Sequence, residues 1–229
     1  ANTMTATTGS TGTHHPSTTR TSTRRLPGIV ALGLSRTRLE LVSFFRERDA
    51  VVFIFAYPIL MLAIFASVFG QDGATAGGSG EDAVSFAQYF LPGMIATGMM
   101  LTSFQALATS LAVERDDGSL KRLRTTPLPP VAFFLGKIGQ VLVVSLAQTT
   151  LLVAAGAVLF GIDVPASLDA WGTFAWVFVL GTAVGTVCGI AFSSVPRSGR
   201  SVTAVVLPVV LVLQFTSGVF FVFSDLPTW

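Results

Sequence analysis

Five stretches of the chain carry no charged residue at all: 50–71, 83–113, 138–162, 170–196 and 201–224. A helix rises about 1.5 Å per residue and the hydrocarbon core of a bilayer is about 30 Å thick, so roughly 20 apolar residues suffice to cross it. Each stretch is long enough. Their apolar character is continuous and does not alternate, which excludes a β-barrel and leaves the helix as the way to pair backbone groups in lipid. The sequence therefore predicts an all-α, polytopic membrane bundle with five visible spans, at about 51–69, 90–113, 133–160, 171–195 and 201–223. Composition agrees: 51% hydrophobic and 11% charged residues, with a mean hydropathy of +0.70, lie outside the range of a soluble domain.

The loops set the orientation, because Lys and Arg are retained on the cytoplasmic side. Arg20, Arg24, Arg25, Arg36, Arg38, Arg46 and Arg48 precede the first span. Arg115, Lys121, Arg122, Arg124 and Lys137 surround the connection between the second and third, and Arg197 and Arg200 lie between the fourth and fifth. The alternate loops carry only acids: Asp72, Glu81 and Asp82, then Asp163 and Asp169, then Asp225. The N-terminus is thus expected inside and the end of the fifth span outside. The net charge of +2 reflects this polarity and gives no sign of a nucleic-acid partner.

Residues 1–28 are rich in Thr, Ser and Gly and have no apolar run, so they read as a disordered cytoplasmic tail containing His14 and His15. Residues 29–49 differ. Ile29, Leu32, Leu39, Val42 and Phe45 fall near helical spacing among Arg36, Arg38, Arg46 and Arg48, which predicts an amphipathic helix lying along the inner leaflet. The same pattern also serves a cytoplasmic helix packed on protein.

Within the apolar cores there is no Asp, Glu or His. A proton-coupled carrier is expected to hold an ionisable group near the midplane, and haem ligation, zinc proteolysis or a histidine-based serine protease needs His. No catalytic or metal site is predicted. Lys137, at the start of the third span, is expected to snorkel to the interface as an anchor. Cys188 reads as a small packing residue. Thr102, Ser103, Gln105, Gln148, Thr149, Thr150, Gln214 and Thr216 are expected to join helices by hydrogen bonds. Gly181, Gly185 and Gly189 repeat every four residues and define a helix-packing face. Pro58, Pro92 and Pro208 mark kinks, tolerated where a neighbour satisfies the carbonyl that proline releases.

The cytoplasmic segment 114–130 is the most informative. After a turn at Asp117-Gly118, Leu120 and Leu123 share one helical face, with Lys121, Arg122 and Arg124 around them, and Pro127 disfavours helix at Thr126. An apolar ridge in a charged rim suits docking on a partner, although a surface loop with topological charges has the same pattern.

Glu114, Gly118, Ser119, Leu120, Leu123, Thr126, Pro127, Gly136 and Lys137 resemble the signature of ABC-2 type transporter permeases, which joins the second and third spans. The run Ser217 to Phe221 with Leu226, Pro227 and Trp229 is similar to the end of the fifth span in the drug and antibiotic exporter branch. The resemblance covers 29–229 as one transmembrane domain. It implies two paired permease chains, identical or different, on two cytoplasmic ATPase subunits in the plasma (inner) membrane. ATP and its Mg would sit on those subunits, since this chain has no Gly-x-x-x-x-Gly-Lys-Ser/Thr loop. Glu114, Gly118, Leu120, Leu123 and Thr126 would be the coupling contacts. Met99, Phe104, Gln105, Gln214 and Phe215 would line the substrate path, for amphiphilic cargo such as a drug, antibiotic or lipid-like molecule. Family members usually have six spans, so a re-entrant segment and a sixth helix are expected beyond Trp229. A secondary carrier or channel, and a membrane scaffold or lipid-modifying enzyme, are the competing expectations.

Overall fold

The computed structural model describes residues 28–70, 75–76, 84–123, 125, 129–162, 167–196 and 198–217. It is a polytopic helical bundle. The expected tail, Thr126 and the motif residues after Ser217 lie outside the described residues.

The chain opens with α1 (Ile29–Arg46) and, after a break at Glu47, α2 (Arg48–Gly70). A two-residue antiparallel pair, β1 (Thr75–Ala76) with β2 (Val84–Ser85), precedes the second span. That span is one rod made of α3 (Phe86–Met100), a π-helical segment (Leu101–Ala106) and α4 (Leu107–Asp116). The short α5 (Ser119–Leu123) follows, then α6 (Pro130–Phe160), α7 (Leu168–Phe192) and α8 (Val202–Thr216). α2, the second span, α6 and α7 are long and apolar enough to cross a membrane, whereas α8 is described over 15 residues.

The ends of these helices follow their sequence. α6 begins on Pro129-Pro130, where a missing N–H costs nothing, and stops at Gly161, whose φ of 61° lets the Ile162 N–H reach back to the Gly156 carbonyl. Ser85 and Ser167 accept N-cap bonds from Gln88 and Ala170.

The second span is the centre of the bundle: 56% of its most apolar window is buried, against 17%, 39% and 22% for α2, α6 and α7. Phe90, Met94 and Ile95 meet Leu62 and Leu152 on its outer half. Further along, Leu101, Phe104, Ala108 and Ala112 meet Val202, Val206 and Val210 of α8, while Leu107 and Leu111 meet Phe133 and Val141 of α6. Trp176, Val177, Val184 and Val187 on α7 remain exposed, as lipid-facing residues should.

α1 runs alongside the first half of α6, with Gly33 against Leu135, Arg36 against Gly136 and Thr37 against Gly139. It packs through Gly33, Glu40 and Phe44, whose ring joins Ile54 and Val144, and keeps Ile29, Val30, Leu34, Leu39, Val42 and Phe45 exposed. That arrangement combines the two readings of the sequence: the helix docks on protein by one face and offers lipid the other. With 31 residues, α6 is about 46 Å long. It exceeds the hydrocarbon thickness and leaves its first turns to carry α1.

Candidate functional site

The segment that follows the second span is built on one backbone requirement. Gly118 has φ 72°, a conformation that a side chain disfavours, and no neighbouring atom crowds its Cα. It ends α4 and starts α5, because its carbonyl accepts from the Lys121 and Arg122 N–H groups. Leu120 is half-buried and packs inward on the cluster of Leu107, Leu111, Phe133 and Val141. Lys121 and Arg122 are exposed. Leu123 closes α5, but its side chain, like Thr126, lies outside the described residues.

Glu114 turns back into the bundle, where its carboxylate contacts the Lys137 ammonium. The same ammonium donates to Glu40 of α1 at 2.7 Å, and Arg36 holds the other Glu40 oxygen at 2.7 Å. The Lys137 side chain is 2% exposed, so the expectation that it snorkels to the interface is corrected: it is a buried counter-ion between two carboxylates. The long stem that makes snorkelling possible instead spans the gap from α6 to α1 and α4. Gly136 permits this, because a Cβ there would overlap the Arg36 side chain. The Phe133 ring lies beneath both cations, 5.3 Å from Arg36 and 5.9 Å from Lys137. Two positive and two negative groups balance. Such a cluster gives little net stability over an apolar one, but removing one partner strands the others.

Two more polar contacts fix the connection between the fourth and fifth spans to the end of α4. Arg115 donates to the Pro196 carbonyl at 2.5 Å, and Asp116 accepts from the Gly199 N–H at 3.0 Å. Arg115 is thus a structural tie as well as a positive charge.

Deeper in the bundle Gln148 joins three helices. Its Nε2 donates to the Ile54 carbonyl at 2.9 Å, and its Oε1 accepts from Thr102 at 2.9 Å. Gly98 makes room, since a Cβ there would collide with the Gln148 amide. Thr102 is the second residue of the π-helical segment, a form common at functional sites. Of the other residues expected to join helices, Ser103, Thr150 and Thr216 donate to carbonyls of their own helix. Gln105 Oε1 and Gln214 Nε2 are shielded from solvent without a partner.

Gly181, Gly185 and Gly189 face the second span: Gly181 meets Met99, Gly185 meets Ser103, and Gly189 lies against the backbone of Ser103 and Phe104. Cys188 is exposed on α7, which corrects the expectation that it packs inside.

A cleft of about 540 Å³ opens between α1, the start of α2, the second span and α6, with Thr203 of α8 on its wall. Glu40, Glu114 and Lys137 line one part, and Thr102 and Gln105 another. Of the five residues expected on a substrate path, Gln105 lies in this cleft. Met99 packs toward α7, Phe104 is buried edge-on to Phe192, Gln214 is buried in α8 and Phe215 is exposed. The fold does not gather them into one site. Among the described residues no group of three His, Cys, Asp or Glu side chains is placed to hold a metal ion.

This is a polytopic helical bundle in which the segment after the second span is tied by charge to α6 and α1. The family model for ABC-2 type transporters matches residues 35–229, and the chain belongs to that family. It is accordingly a membrane subunit of an ABC transporter, a class of permease that works with an ATPase partner and is not itself the ATPase. No curated protein and no solved structure matches the chain.

Proposed function

We propose that the chain is the permease subunit of an ATP-driven exporter in the plasma (inner) membrane. It pairs with a second permease chain, binds a separate cytoplasmic ATPase through residues 114–130, and passes amphiphilic cargo of the drug, antibiotic or lipid-like kind. The observation that carries this reading is the contact of Lys137 with both Glu114 and Glu40. The segment assigned to the ATPase starts at Glu114. A push on that segment therefore reaches α6 and α1 through one ammonium, without an intervening flexible link. Leu120 packs inward and supports α5 from within, which leaves the exposed Lys121 and Arg122 for the partner.

Co-expression with the ATPase and purification in detergent tests the reading. The native pair should co-purify, and Lys121→Glu with Arg122→Glu, at two exposed positions, should abolish association with a permease that still elutes as one folded species. Stoichiometric binding by the variant would contradict the assigned interface.

The second reading, a secondary carrier, draws on the same cluster, because buried ionisable groups often serve ion coupling. Its charges are mutually paired and sit where the second span leaves the membrane, away from the midplane. Transport that persists without any ATPase would favour it.

A further inference from the structure

α1 carries charge that the ion cluster does not use. Arg36 turns inward to Glu40, but Arg38 and Arg46 are exposed, and among the described residues neither has a carboxylate partner. The nearby acids have other settings. Glu40 meets Lys137 and Arg36, Glu47 lines the cleft, and Asp49 sits in the first turn of α2, where the helix N-terminus attracts negative charge.

The two arginines share their face with apolar side chains. Leu34, Arg38, Val42, Phe45 and Arg46 fall at helical spacing and form one exposed stripe, opposite the buried Gly33, Glu40 and Phe44. Guanidinium groups set in an apolar helix face suit the headgroup layer, where the apolar side chains enter the acyl boundary and the arginine stems reach back to phosphate. The neighbouring surface is of the same kind. Where α1 ends, Phe44 packs on Ile54 and Val144, and Val52, Phe53, Leu142 and Val143 beside them are exposed on α2 and α6. The stripe thus runs into the lipid-facing surface of the spans, and the distribution of Lys and Arg places it in the inner leaflet.

We infer that Arg38 and Arg46 bind an anionic phospholipid of the inner leaflet, with its phosphate at the guanidinium groups and its acyl chains along Val42 and Phe45. Charge selects the lipid. The arginines gain from a headgroup of net negative charge and little from a zwitterion, whose own cation accompanies the phosphate. Binding holds α1 in the leaflet, and α1 supplies Glu40 to the ammonium that also contacts Glu114. The lipid therefore steadies the base of residues 114–130, whatever cargo the permease carries.

Photocrosslinking from p-benzoylphenylalanine at position 42 tests this, with the permease and its ATPase in nanodiscs of equal phosphatidylglycerol and phosphatidylcholine bearing the same acyl chains. The crosslinker should capture lipid, with phosphatidylglycerol adducts exceeding phosphatidylcholine adducts about tenfold by mass spectrometry. Arg38→Gln and Arg46→Gln should each lower that preference about fivefold, and together should erase it. Both side chains are exposed, so in discs of phosphatidylcholine alone the thermal midpoint of the double variant should match that of the native chain. A lower midpoint there would make the arginines part of the fold and overturn the assignment. Equal capture of the two lipids by the native chain, or a preference that survives the double substitution, would also overturn it. Capture of the ATPase or of a second permease chain from position 42, in place of lipid, would give this face to a protein partner instead.

Discussion

The Gln148 side chain donates to the Ile54 carbonyl at 2.9 Å, the carbonyl four residues before Pro58 in α2. Proline has no N–H, so the normal helical partner of that carbonyl is missing, and the third span supplies the replacement. The other end of the same amide accepts from Thr102 in the second span. One side chain thereby repairs a kink and ties three spans together. Gln148→Leu should lower the thermal midpoint in detergent by an amount equivalent to about 1–2 kcal/mol. In a Pro58→Ala background the loss should shrink, because the helix then satisfies Ile54 itself. Additive losses in that double-mutant cycle would contradict the repair role.

The ion cluster predicts an asymmetry. Lys137→Met leaves Glu114 without its cation and Glu40 with Arg36 alone, at a cost of about 3–5 kcal/mol, and should largely abolish recovery of monodisperse protein. Adding Glu114→Gln to Lys137→Met removes the unpaired carboxylate, keeps the Arg36–Glu40 pair and should restore most of the yield, measured by size-exclusion chromatography. If the double variant still fails to fold, charge balance is not what the cluster provides.

Close helix approach is the next dependency. Gly185→Leu would place its side chain on Ser103 and the backbone of the π-helical segment, and Gly136→Leu would displace Arg36 from α6. Overpacking of this kind costs about 1–3 kcal/mol or more. Gly172→Leu meets no neighbouring atom and should be neutral. Thermal midpoints of the three variants decide whether the glycines act through space.

Gly118→Ala changes only the backbone, because nothing crowds that position. Its φ of 72° should cost about 1–2 kcal/mol. The expected result is a weakened ATPase association with an unchanged permease elution profile. Unaltered association would separate the turn from coupling.

The bundle was legible because span length and apolar continuity act locally. Runs such as 138–162 announce themselves without reference to anything else in the chain. The glycine face on α7 was legible for the same reason, since four-residue spacing defines a helix face. Lys137 was not. Its carboxylate partners lie 97 and 23 positions away, each at the flank of a different apolar run, where a buried ion and an interfacial anchor look alike in sequence. Leu120 read as part of an outward ridge because periodicity fixes which residues share a face and not which way that face points. The substrate-path residues were chosen by analogy of span, and three-dimensional packing disperses all but Gln105 away from the cleft.

Coupling through residues 114–130 is tested most directly by photocrosslinking in native membranes from p-benzoylphenylalanine at position 122, with position 176 on the exposed face of α7 as the control. Arg122 and Trp176 are both exposed in the chain. Crosslinking of the ATPase from position 122 and none from position 176 is the predicted result. ATPase captured elsewhere on the permease while positions across 114–130 capture none would contradict it.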